Sequence, residues 1–244
     1  MSNGCKIRGL AVLFLVCALT ACPTRPPAPA ARVGAPAPPP AVPRTGKPYD
    51  VIAADSLLTV LVYRGGALAS AGHNHVIASH ALEGTIYVPS EPLATSFEVR
   101  VPVAALTVDE PQLRAKESAA DFPPDVSQSA REGTRHNLLS AAVLDGADYP
   151  DVVLRSAGFA AAPPPQPGTL TALIEAGVRG EWHTLRVALS YQLRGDELTV
   201  TGELPLRQSE LGLTPFSALM GALAVEDEMR VRFRIVAQAA ATAH

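Results

Sequence analysis

Cysteine is absent from the chain after Cys22; the three present are Cys5, Cys17 and Cys22. A disulfide framework, a zinc knuckle and a cysteine nucleophile are therefore excluded from the folded part. Charge is also sparse. Charged residues are 18% of the 244, and 20 Lys+Arg against 23 Asp+Glu leave a net charge of -3, which excludes a basic nucleic-acid-binding surface. Beyond the N-terminus no apolar run reaches the roughly 20 residues that a spanning helix needs. The sequence has no Gly-x-Ser-x-Gly elbow, no His-Glu-x-x-His and no phosphate-cradling glycine loop. It reads as a binding protein rather than an enzyme, with no cofactor implied. The acidic clusters Asp109-Glu110 and Glu226-Asp227-Glu228 read as solvated turns.

What is present begins with an export signal. Lys6 and Arg8 precede an apolar run from Leu10 to Ala18, followed by Leu19-Thr20-Ala21-Cys22. The run fits a secretory signal, and the tetrapeptide resembles a bacterial lipobox. It implies a signal peptide over 1–21, cleavage before Cys22 and lipidation of Cys22. Two or more acyl chains form a stable anchor, so the expected location is a membrane surface facing the periplasm or the cell exterior. Ten of the 23 prolines fall between Pro23 and Pro48. Residues 22–48 thus read as a lipidated Cys and an extended Pro/Ala-rich linker, unable to bury enough surface to offset its ordering entropy. A domain over 49–238 and a short tail over 239–244 follow.

Within that domain the dominant period is two. Leu185, Val187, Leu189, Tyr191 and Leu193 alternate with Arg186, Ala188, Ser190 and Gln192, the mark of a half-buried strand. Phe97, Val99, Val101 and Val103 repeat the pattern, as do Met229, Val231, Phe233 and Ile235. Further strands are expected over 57–64, 73–88 with a bend near 81–84, 151–159, 169–178 and 198–206. Short turns at Gly65-Gly66, Gly180-Glu181 and Gly195-Asp196 suggest consecutive hairpins. The expected fold is all-β: an antiparallel meander of about eight strands closed into a barrel, since closure removes exposed edges.

Two segments break the rhythm. Helical character is expected over 127–143, and a second short helix over 214–223, capped by Thr214, with Phe216, Leu219, Met220 and Leu223 at helical spacing. Either one is a lid or simply completes the core. His73 and His75, two apart on a strand, point to one face about 7 Å apart. Such a pair can bind zinc or iron if a third ligand arrives, with His183, His136 and several carboxylates as candidates. It can equally contact a ligand head group or serve structure. The lone Trp182 reads as a core plug.

Taken in order, Gly72-His73-Asn74-His75-Val76-Ile77, Asn137-Leu138-Leu139-Ser140 leading to Asp145 and Tyr149-Pro150, Gly180 to Val187, Ser209-Glu210-Leu211-Gly212-Leu213 and Asp227 to Ile235 resemble the YceI-like family. The resemblance runs through nearly all of 49–237. It implies an eight-stranded, lipocalin-like barrel with one or two short helices, whose lumen holds a polyisoprenoid or similar amphiphile. Carried onto this chain, the lining residues would be Phe97, Val99 and Val101 from one strand, Leu185, Val187, Leu189 and Tyr191 from another, and Phe233 and Ile235 from the last. Phe216 and Met220 would join them from the lid, and His73 and His75 from the mouth. Three departures stand out: the segment 109–135 is longer than in short members, Gln208 stands where the family commonly has Arg, and Leu211 replaces an aromatic. An eight-stranded lumen is either filled by side chains or holds one ligand; few aromatics and many Val, Ala and Leu favour a cavity. The alternative function is a metal-binding periplasmic protein or enzyme using His73 and His75.

Overall fold

The computed structural model describes residues 38–162 and 166–240. The lipobox, Cys22, most of the linker and the tail beyond residue 240 lie outside them. The strands are β1 (Lys47–Val51), β2 (Leu57–Gly65), β3 (His75–Ser79), β4 (Glu83–Val88), β5 (Ser96–Pro102), β6 (Thr107–Val108), β7 (Asp151–Ala161), β8 (Thr169–Val178), β9 (Glu181–Arg194), β10 (Glu197–Arg207), β11 (Ser217–Ala218) and β12 (Leu223–Ala239). All pairings are antiparallel.

The sheet runs β1-β4-β5-β7-β8-β9-β10-β12 and closes where β12 pairs back with β1. β1 and β2 lie one after the other along β12, opposite 237–239 and 224–234. They form one stave interrupted by a turn at Ala53–Asp55. In the same way β3 pairs with β2, and β4 with β1. The result is an eight-stranded closed antiparallel barrel with a few short helices, as expected from the period-two pattern. The bend expected near 81–84 separates β3 from β4. There Gly84, at φ +150, lets β5 approach closely, since a Cβ would sit 2.1 Å from the Glu98 carbonyl oxygen. The β8–β9 hairpin turns on Arg179 and Gly180, both at positive φ, a combination that matches the right-handed twist of the strands it joins.

Parity decides what faces where. On β9, Val187 and Leu189 point inward and are buried while Arg186, Ala188 and Ser190 are exposed. On β2, Leu58, Val60 and Val62 face the lumen. Their neighbour Leu61 faces outward and is nevertheless only 1% exposed, because the long connection between β6 and β7 folds back over it. Leu113 and Phe122 of that connection pack with Leu61, Val76 and Ala78, and Phe122 meets the Tyr63 ring edge-on at 5.7 Å. The connection carries α1 (Pro111–Arg114) and α2 (Gln128–Leu139).

Several expectations are corrected. β1 begins at Lys47, inside the stretch assigned to the linker; Pro48 is tolerated there because it lies opposite β4 alone, the pairing with β12 starting only at Tyr49. Residues 214–223 form no α-helix; they make β11 and a 3-10 turn in which Leu219 and Met220 adopt φ 52 and 56, so their spacing never forms a helical face. Trp182 is no core plug. It lies on the outer surface against Gly177, with the Arg155 guanidinium 4.9 Å from its ring. Asp109 is not in a solvated turn but 2% exposed.

Candidate functional site: an apolar lumen

Inward-facing residues from all eight staves enclose a cavity of about 960 Å³, at the upper end of the range for small-molecule sites. Leu185, Val231, Phe233 and Ile235 face it and remain only half-buried. On the inside of a closed barrel such residual exposure means that they border space rather than one another.

Every lining residue expected from sequence borders this lumen except Met220. Phe97, Val99 and Val101 come from β5, Leu185, Val187, Leu189 and Tyr191 from β9, and Phe233 and Ile235 from β12; Phe216, His73 and His75 lie near the α2 end. Met220 is a correction: it is fully exposed on its turn. Leu138 of α2 also lines the lumen, with Thr134 and Asn137. The helix starts where Ser127 accepts a hydrogen bond from the Ala130 N–H at 3.2 Å. It is strapped down by Arg135, which donates to the carbonyls of Leu106 and Ala104 at 3.1 and 2.6 Å.

Polar side chains are confined to the two ends. Arg64, His73, His75, Thr134, Asn137 and Gln208 lie at the α2 end, and Ser90, Thr95 and Tyr191 at the other. His75 is held from behind. Its Nδ1 lies 2.6 Å from Asp109 Oδ2, and its Nε2 lies 3.2 Å from the Thr134 hydroxyl. Asp109 also accepts from the Val76 N–H at 2.9 Å and from Arg114 Nη1 at 2.7 Å. Burial pushes the Asp109 carboxyl upward, but the hydrogen bonds from His75 and Val76 and the charges of His75 and Arg114 outweigh it. The group lies below its ordinary value. Arg114, 2% exposed, further donates to the carbonyls of Asn74 and Pro123, and Asn74 donates to the Asp121 carbonyl. This buried cluster ties the β6–β7 connection to the mouth of the barrel.

The arrangement is unlike a metal centre. Both nitrogens of His75 are engaged within the protein, and the His73 and His75 rings lie 6.1 Å apart. Among the described residues no three His, Cys, Asp or Glu side chains gather as a ligand set. His136 is exposed, and His183 packs against Gly212. Sequence reasoning missed Asp109, Arg114 and Thr134, because their roles arise from a fold-back that no local period signals.

No protein-family model matches the chain, and no curated protein matches it. Solved structures do. BcnA of Burkholderia cenocepacia superposes with a TM-score of 0.56 at 16% identity, over 78% of this chain and 100% of that one. A polyisoprenoid-binding domain from Saccharophagus degradans, implicated in plant cell wall breakdown, gives 0.52 at 11% identity, over 79% and 98%. The two share this barrel fold. The likeness drawn from the sequence motifs is thus met at the level of fold.

Proposed function

We propose that the barrel binds a polyisoprenoid or similar long-chain amphiphile in its lumen and sequesters or carries it near a membrane, to which a lipidated Cys22 would tether it on the periplasmic or outer side. The observation that carries the proposal is the cavity of about 960 Å³, apolar along its length and polar only at its ends. An amphiphile presents the same distribution. Each buried CH₂ contributes about 0.8 kcal/mol. Ten enclosed carbons would supply roughly 8 kcal/mol, the scale of a micromolar dissociation constant before ordering costs; a longer chain leaves a margin for those costs. The barrel fold shared with the Saccharophagus degradans polyisoprenoid-binding domain supports the same reading.

Native mass spectrometry of the protein without its acyl anchor tests it. The expected result is a co-purified or added C20 isoprenoid alcohol retained one per chain. A protein that stays ligand-free under excess alcohol would contradict the proposal.

A further inference from the structure

The α2 end of the lumen is furnished with the amides of Gln208 and Asn137 and with one cation, the exposed Arg64. Strand register locates it. Leu206, Met229, Val62 and His75 form one row across β10, β12, β2 and β3. Gln208 and Arg64 lie two residues further along, on the same inward parity as Leu206 and Val62, and α2 brings Thr134 and Asn137 to the same end.

Gln208 is 6% exposed. Its Nε2 donates to the Glu226 carbonyl at 2.7 Å, which fixes the orientation of the amide. No described residue donates to its Oε1, and the Asn137 amide likewise has no side-chain partner among the described residues. The oxygen is not sealed within the protein: Gln208 lines the lumen, so its Oε1 is an acceptor open to a bound ligand with an available hydrogen. Neither cation nearby offers a buried, unpaired charge. Arg114 is neutralised by Asp109, and Arg64 is exposed with its guanidinium on the Gly72 carbonyl at 2.8 Å. An ionised head would surrender its hydration with no buried counter-charge to replace it, and the Gln208 Oε1 would repel it.

We infer that this end selects an uncharged head group that donates a hydrogen bond to Gln208 Oε1, so that the ligand is a long-chain alcohol rather than its phosphate. The inference rests on the lumen being the chain-binding site proposed above. An alcohol both donates and accepts, as the amides of Gln208 and Asn137 do, so each hydrogen-bonding group can find a partner.

The test compares three probes with one C20 isoprenoid tail: the alcohol, its methyl ether, which cannot donate, and its monophosphate. The alcohol should bind about tenfold tighter than either, equivalent to about 1.4 kcal/mol. Gln208→Leu and Gln208→Met should each bring the ratio of alcohol to ether affinity, measured within the same variant, to about one. Equal or tighter binding of the monophosphate would overturn the inference, and its loss in Arg64→Ala would reassign the head group to Arg64. An alcohol advantage that survives both Gln208 variants would overturn it too. If none of the three probes binds, the lumen proposal itself fails, a different result from any of these.

Discussion

Asp109 carries a charge to a place from which water is excluded, and it is stable there because every oxygen has a partner. Its carboxylate is shared by Arg114, His75 and the Val76 N–H, and its folded-state pKa is depressed. A depressed carboxyl contributes stability that is fully present above its unfolded value of about 3.9 and is lost as pH falls through the lower folded value. Acid unfolding followed between pH 5 and pH 2 should therefore show a loss that Asp109→Asn lacks. At neutral pH the same substitution should cost about 3–5 kcal/mol in urea unfolding, because it strands the Arg114 guanidinium; a cost below 1 kcal/mol would refute the assigned role. The spacing of His73 and His75 made their shared inward face legible in the sequence. Asp109 was not legible: its burial depends on Arg114 arriving from α1 and on a left-handed turn at φ 53, neither of which leaves a periodic trace. Lumen residues also differ by position, Val187 lying along the barrel and His73 at the α2 end. Val187→Glu should abolish lipid retention while His73→Ala leaves it nearly intact, measured by native mass spectrometry; equal loss in both would contradict this division.

Elements differ in how they are held. The barrel strands repeat one pattern and secure one another through continuous ladders, whereas α2 has no fully buried residue and depends on its cap, on Arg135 and on the Thr134–His75 contact. Removing the cap with Ser127→Ala should cost about 1 kcal/mol. Amide exchange over 128–139 should then accelerate severalfold, with β8 and β9 unchanged; acceleration spread over the whole barrel would contradict a locally held lid. The strand limits followed from alternation, and β8 matches its expected bounds of 169–178. The segment 214–223 misled because Phe216, Leu219, Met220 and Leu223 have helical spacing. Only Phe216 and Leu223 turn inward, while the positive φ of Leu219 and Met220 throws both outward. Hydrophobic spacing reports which faces exist; it does not report a backbone that reverses between them.

At the scale of the whole molecule, the sheet closes through β1, a five-residue strand joining β4 to β12. Its signal was weak in a stretch rich in proline, yet without it β4 and β12 would each present an open edge. Closure is what makes the inside an enclosed volume, and the side chains that line it, mostly Leu, Val and Ile, do not fill it. Filling it should be tolerated by the fold and not by the function: Val231→Trp should lower ligand capacity while leaving thermal stability equal or higher, because the new ring occupies lumen space rather than packed core. Affinity as a function of tail length probes this most directly. For a series of linear alcohols of increasing chain length, the free energy of binding should improve by about 0.8 kcal/mol per added CH₂ and level off once the lumen is full. A binding energy indifferent to chain length from the shortest member onward would contradict an apolar chain lying inside the barrel.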